Sequence, residues 1–361
     1  MNVMVIAETF VISGLISFIL TLTLTKLVFK NNLFNKFNSR IYKVKETPRL
    51  GGISIFFSLF ISLVLVRILV ASHISIDFGG DINISLLLIA FLIIFSLGLY
   101  DDFIGTRAWK KFMGQVAAAS VLYFAGFQIA ELSIPFIGSK GINDFLSFLL
   151  TILWVCFITN AINIVDGIDG LATGIAFFAA LSMGVLAFLS SQLLLVLIIA
   201  VLAGVIIGFY PFNFPRAKIY LGDSGSLMIG FILACLSMAA IQRKASLAIV
   251  LLIPIIILFL PIFETVITII RRIYKGQNIF QGDTGHFHYR FLQKEFSETK
   301  TTMILTSISF LFSICGVLFE YVNTEIRILL LIIIFLVCFF LLKFLGYIRI
   351  KIGSRNSLDK G

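Results

Sequence analysis

The sequence predicts an all-α, polytopic integral membrane protein with about 11 (10–11) transmembrane helices, its N-terminus outside and its C-terminus cytoplasmic. Three observations carry that expectation. The 361 residues are 60% hydrophobic and only 13% charged, with a mean hydropathy of +1.09, whereas a soluble domain is about 25% charged. Apolar stretches of about 20 residues, each enough to cross roughly 30 Å of hydrocarbon as a helix, recur along the whole chain. The basic residues are segregated between alternate loops.

In chain order the stretches are 4–28, 51–71, 84–100, 112–129, 145–162, 171–190, 192–210, 226–241, 247–270, 301–320 and 327–348. The first has no basic segment before it and exceeds a signal-peptide core, so it is expected to be retained as a span. The second begins at Gly51-Gly52 after Pro48, which stiffens the chain where it enters. The third ends on Asp101-Asp102, and the basic Arg107, Lys110 and Lys111 precede the fourth. The fifth runs into the polar stretch 160–174, from which the sixth starts at Leu171. Little beyond Ser191 separates the sixth from the seventh, hence the count of ten as the lower bound. The eighth follows Gly222-Asp223-Ser224-Gly225, and the ninth contains Pro254, Pro261 and Glu264. The basic loop 271–300 leads to the last two. No gap is long enough to build a separate core, so residues 1–348 are expected to form one membrane domain, followed by a short basic tail, 349–361.

Lys and Arg set the orientation. With the N-terminus outside, the inner loops and flanks hold 7 basic residues at 26–49, 3 at 107–111, 2 at 216–218, 6 at 271–300 and 5 at 343–360. Only Arg67, Lys140, Arg243, Lys244 and Arg327 fall outside. The net charge of +10 is therefore a topology signal and an attraction for anionic headgroups and ligands, not a nucleic-acid footprint. Cys156, Cys235, Cys315 and Cys338 lie singly in apolar spans, as small core residues rather than a disulfide framework or zinc site.

The acids give the chemistry. Asp101, Asp102, Asp166, Asp169, Asp223 and Asp283 are expected in inner loops abutting span ends, with Glu264 just inside the ninth span. Ionisable groups at a membrane boundary are costly unless they serve a site. Adjacent carboxylates such as Asp101-Asp102 repel each other unless a cation offsets them, and a hard divalent ion would do so; a solvated helix end before Arg107 is the bland alternative. In 160–174, Asn160, Asn163, Asp166 and Asp169 alternate with Gly167, Gly170 and Gly174, a turn feeding a helix whose free N–H groups favour anions. Asn213 to Ser226 contains Gly-Asp-Ser-Gly, suited to phosphate or metal, and Tyr220 offers a flat face for a base. Arg271-Arg272 and His286-Phe287-His288 bring donors for an anion; a bare His-x-His is a weak zinc signal. Lys45 to Gly52, taken alone, serves equally as a plain span start.

Five clusters in this order resemble the polyprenyl-phosphate N-acetylhexosamine-1-phosphate transferase family, through Pro48-Arg49-Leu50-Gly51-Gly52, Asp101-Asp102, Asn160 to Gly174, Ala217 to Ser226 and His286-Phe287-His288. The resemblance implies transfer of a sugar-1-phosphate, GlcNAc-1-phosphate above all, from a UDP-N-acetylamino sugar to undecaprenyl phosphate, with release of UMP. It implies Mg²⁺, with Mn²⁺ as a substitute. It further implies a multi-pass protein of the inner (plasma) membrane with its site on the cytoplasmic face.

By the same resemblance, Asp101, Asp102, Asp166, Asp169 and Asp223 form the catalytic group. Asp223 is the foremost metal ligand, and Asp101 and Asp102 position the lipid phosphate or its metal. Asn163, Asp166, Asp169, Asn213 and Tyr220 hold the uridine side, Lys45 the nucleotide phosphates, and Arg272, His286 and His288 the diphosphate or sugar. The implied partners are the two substrates and membrane lipid, with no nucleic acid and room for a homodimer.

Two positions depart from the family's usual pattern: Tyr289 replaces a His and Arg216 a Pro. Pro-Arg-Leu-Gly-Gly and His-Phe-His-Tyr, in place of Pro-Thr-Met-Gly-Gly and three His, favour the surface-polysaccharide branch (O-antigen, teichoic acid) over the phospho-MurNAc-pentapeptide branch. A lipid or small-molecule transporter is the rival from another class. It would place ionisable or helix-breaking groups at the bilayer midplane, where this chain has only Pro254, Pro261 and glycines such as Gly204 and Gly208.

Overall fold

The computed structural model describes residues 3–30, 47–71, 82–134, 138–242, 252–277 and 285–347. Thirteen helices are formed by them: α1 (Val3–Lys30), α2 (Gly51–Ala71), α3 (Ile84–Phe103), α4 (Ala108–Phe124), α5 (Asp144–Val165), α6 (Leu171–Leu189), α7 (Leu193–Asn213), α8 (Gly222–Gln242), α9 (Leu252–Ile257), α10 (Phe259–Tyr274), α11 (Phe287–Leu292), α12 (Glu298–Tyr321) and α13 (Thr324–Phe344). Among the described residues, nine helices have the length and hydropathy to cross a membrane. The 17-residue α4 and the broken pair α9–α10 occupy the two remaining predicted stretches. The apolar side chains exposed on α1, α2, α3 and α13 suit contact with lipid.

The all-α expectation holds, with one short hairpin added between two of the helices. Glu131–Ile134 (β1) and Gly138–Gly141 (β2) pair as an antiparallel hairpin, Glu131 opposite Gly141. They lie between α4 and α5, where the chain leaves one apolar run before starting the next, and pairing satisfies backbone groups that helices would otherwise satisfy.

Helix starts follow local chemistry. Asn83, Asn143 and Asn323 each accept the backbone N–H three residues on, at 3.1, 2.8 and 3.0 Å, which caps α3, α5 and α13. The break between α9 and α10 comes from Pro261, which has no N–H to offer the carbonyl of Ile257. That carbonyl instead takes the Ser313 hydroxyl of α12 at 3.5 Å, the kind of substitution a broken membrane helix requires.

The most enclosed span is α8, packed by α2, α3, α5, α6 and α7. Close approach of α2 depends on Gly52: a Cβ there would collide with the backbone of Ser224 and Gly225. The pair α1–α7 is stitched by Ser17 Oγ donating to the Val205 carbonyl at 2.7 Å. Small residues at such contacts let van der Waals packing hold helices together where no hydrophobic driving force separates helix from lipid. The central position of α8 matters because its first turn carries Asp223.

Candidate functional site

The site is built around the start of α8. Gly222 adopts φ +75°, turning the chain from the 214–221 loop into the helix. The first N–H groups of any helix lack intrahelical partners. Here a residue of another helix supplies them. Asp102, in the last turn of α3, accepts from Asp223 N at 2.8 Å, Ser224 N at 2.9 Å and Ser224 Oγ at 2.6 Å. Both Asp102 oxygens are thus engaged by α8, favourably for a carboxylate at a helix N-terminus. Asp101, Asp102 and Asp223 lie within helices rather than in the loops where the sequence placed them, because the polar ends of the apolar runs continue the helical turn.

Asp101 and Asp223 share one cation. Lys111 Nζ lies 2.8 Å from Asp101 Oδ2 and 2.5 Å from Asp223 Oδ2. Thr106 donates to Asp101 Oδ1 through its N–H at 2.5 Å and its hydroxyl at 2.6 Å. Asn163 Nδ2 donates to Asp223 Oδ1 at 2.7 Å and contacts Ser226 Oγ at 2.8 Å. Asn160, one turn earlier on α5, pairs with Gln115 of α4. Asp166 closes the group: removal from water, then the charges of Asp223 and Asp102, push its carboxyl well above the usual range, against the pull of Arg49. Asp101 and Asp223 set two carboxyl groups on one ammonium, and a further cation would offset the difference. Among the described residues no three His, Cys, Asp or Glu side chains converge as a metal cage. Asp101 and Asp223, already sharing a cation, are the hard oxygen donors suited to an ion that takes one or two carboxylates and completes its shell with phosphate and water.

The other predicted residues divide between this centre and its supports. Asp169 Oδ2 accepts from Ala217 N at 2.9 Å and its carbonyl accepts from Thr302 Oγ1 at 2.9 Å, tying the 166–170 loop to the 214–221 loop and to α12. Asn213 is buried, donating to the Ile219 carbonyl at 3.2 Å and accepting from Thr173 at 3.0 Å, so its amide shapes the same loop from inside. The backbone of Tyr220 bridges to Pro48 and Gly51, each at 2.9 Å, and the residue is half-buried. Lys45 and Asp283 lie outside the described residues.

The histidines form a second centre. His286 and His288 stack with ring centroids 5.6 Å apart and planes 8° from parallel. His288 is 1% exposed, and its ring abuts Gly167 beside Asp166. Burial lowers its pKa to about 4, aided by His286 and against the pull of Glu264, so the ring is neutral near pH 7. Tyr289 lies against it at 4.3 Å between ring centroids. Arg272 is buried at the end of α10. Next to it, Arg271 donates to the Gly285 carbonyl and to Tyr347 Oη, tethering the His segment from behind.

Two residues of the site were given no role by sequence reasoning, Lys111 and Glu264. In the sequence Lys111 counts only among the inner basic residues that set the orientation; its signal is its place ten residues after Asp101, in the first turn of α4. Glu264 carried the clearer signal, a carboxylate inside an otherwise apolar stretch.

Known proteins resemble this chain over most of its length. The profile of glycosyl transferase family 4 matches residues 84–241, which span α3 to α8. Over 334 residues the chain is 30% identical to a probable undecaprenyl-phosphate N-acetylglucosaminyl 1-phosphate transferase of Bacillus subtilis (strain 168), covering 92% of this chain and 90% of that protein. It is 35% identical over 285 residues to a decaprenyl-phosphate N-acetylglucosaminephosphotransferase of Mycobacterium leprae (strain TN), covering 73% and 70%. A phospho-N-acetylmuramoyl-pentapeptide-transferase of Listeria welshimeri is 29% identical over 317 residues, covering 82% and 92%.

Proposed function

The chain belongs to glycosyl transferase family 4, and from that premise we propose that it transfers N-acetylglucosamine 1-phosphate from a UDP-linked donor to undecaprenyl phosphate. An oxygen of the lipid phosphate forms a bond to the β-phosphorus of the donor. The bond from that phosphorus to the bridging oxygen breaks, and UMP leaves. The observation that carries this reading is the cluster at the start of α8, where Lys111 joins Asp101 to Asp223 at the polar end of apolar helices. A lipid headgroup and a water-soluble nucleotide can both reach such a place. The basic-residue pattern supports the cytoplasmic face of the plasma membrane as its location.

Both reactants are anions and the cluster is anionic, so binding needs a cation. Asp223 and Asp101 would hold Mg²⁺, or Mn²⁺ in its place. When bound, the ion neutralises charge on the reacting phosphates. Asp102 acts differently, by fixing the first turn of α8 and thereby the direction of Asp223. Asn163 holds the other oxygen of Asp223. Lys111 keeps Asp101 and Asp223 together. Asp166 borders the same centre, while Asp169, Asn213 and Tyr220 set the loop expected to face the uridine. His286, His288 and Arg272 form the side expected to face the diphosphate and sugar. No general base is required, because a phosphate monoester is already largely ionised near neutral pH.

The product would be the lipid-diphosphate sugar that starts a surface polysaccharide. Purified full-length protein in detergent, given Mg²⁺, UDP-GlcNAc and undecaprenyl phosphate, should release UMP, and Asp223→Ala should reduce the rate about 100-fold or more. Absence of UMP with every member of a panel of UDP-amino sugars would overturn the reading.

A further inference from the structure

Glu264 lies on α10, inside an apolar stretch, and is 1% exposed. A carboxylate this enclosed is costly unless its oxygens are matched by donors. Its Oε1 accepts the backbone N–H of Phe287 at 3.0 Å. The same oxygen lies 3.4 Å from His286 Nδ1 and 3.6 Å from His288 Nδ1. One atom thus faces the peptide N–H between the two histidines and one nitrogen of each ring. Thr268, one turn further along α10, puts its hydroxyl 3.4 Å from His286 Nδ1 as well. Both ring nitrogens of His288 are buried outside hydrogen-bond geometry, so the charge nearest each one decides where the proton sits. Nδ1 faces the carboxylate, which favours an N–H there. Nε2 points at Gly167, between Asp166 and Ile168. A neutral imidazole carries its proton on one nitrogen and a lone pair on the other, so the surroundings of one fix the state of the other.

We propose that Glu264 is a positioning residue: it fixes the His286–His288 segment and holds the His288 proton on Nδ1, leaving Nε2 as a lone-pair acceptor aimed at the 166–170 loop. The proposal rests on the transferase reading for its effect on rate, but not for its effect on the imidazole. Two features set this arrangement apart from a generic buried acid. Oε1 meets the backbone as well as the rings, so the segment and the ring orientation are set together. Arg271 and Tyr347 hold Gly285 from the other side, so the segment is gripped at its start and at its middle. All three groups around Oε1 belong to the histidine segment, so a role confined to packing α10 against the other spans does not account for its place.

The test uses Glu264→Gln in the full-length protein. Glutamine has nearly the same shape and keeps an oxygen for Phe287 N–H, but it replaces one carboxylate oxygen by an amide donor and removes the charge. The chain has three histidines, so ¹⁵N-histidine labelling gives a readable imidazole spectrum, assigned with His286→Asn and His288→Asn. The wild type should show His288 as the Nδ1–H tautomer, and Glu264→Gln should move it toward Nε2–H. In the UMP assay kcat should fall about 10–100-fold, as when a partner orienting a functional histidine is lost, while KM for the UDP-sugar changes far less. Glu264→Asp, which restores the charge at shorter reach, should recover part of the rate. An unchanged imidazole spectrum in Glu264→Gln would overturn the proposal. A wild type that releases no UMP yet shows the tautomer shift would overturn the function and leave the positioning role standing.

Discussion

Asp102→Asn separates two roles for the paired acids. As a cap, Asp102 offers one oxygen to Asp223 N at 2.8 Å and the other to Ser224 N and Oγ at 2.9 and 2.6 Å. Asparagine keeps one oxygen and substitutes an NH₂ for the other. If the oxygen stays on Ser224, the new donor faces the donor of Asp223, whose N–H is stranded in a partly buried place. A stranded donor costs about 1–3 kcal/mol, and losing a charge at a helix N-terminus costs about 0.3–1 kcal/mol more. Relief of repulsion from the nearby acids offsets part of this, so a net loss of about 1–3 kcal/mol is expected. Thermal unfolding of the purified variant in detergent should show a midpoint lowered by a few degrees, together with reduced UMP release because Asp223 is no longer aimed. A variant as stable as the wild type but inactive would refute the capping argument and return Asp102 to the metal or the lipid phosphate.

Lys111→Met should leave Asp101 and Asp223 without their shared ammonium. The pairs are 12–23% exposed at their side chains, so the stability cost should fall between exposed and buried pairs, about 1–3 kcal/mol; UMP release should drop at least about tenfold, and an active, equally stable variant would count against the shared-cation geometry. Asp166 should give a pH signature. Its folded-state pKa is raised well above 3.8, so above that pH the native state keeps a proton that the unfolded chain has lost, and stability falls as pH rises toward the folded pKa. Asp166→Asn removes that ionisation; its melting temperature, followed from pH 4 upward, should fall less steeply than the wild type's, and parallel curves would show that Asp166 is not the group responsible.

Much of the fold was legible because a span is a local property. Each apolar run commits its own backbone to hydrogen bonding within itself once water is absent, so α1, α2 and α6 begin and end within a few residues of the expected limits. The differences arise at polar ends. The fourth stretch was expected from 112 but α4 starts at Ala108, which turns Lys111 into a helical residue facing Asp101 and Asp223. The ninth was expected unbroken, but the proline effect divides it at Leu258. The β hairpin left only a weak signal: Glu131-Leu132-Ser133-Ile134 alternates polar and apolar for just four residues, and its partner Gly138–Gly141 carries no apolar side chain.

From the sequence alone came the membrane-spanning class, the alternating topology expected from the basic residues, and the set of polar segments from which a site could be made. Composition and local order suffice for these, because each depends on neighbours along the chain. The partner of each polar group was decided only by tertiary structure. Asp102 and Ser224 are 122 residues apart and Lys111 and Asp223 are 112 apart, yet those pairings make one acid a helix cap and its neighbour one end of a shared-cation bridge. Adjacent carboxylates in the sequence have the same chemistry; the direction in which the helix turn points each one, and the donor it meets there, give them different work.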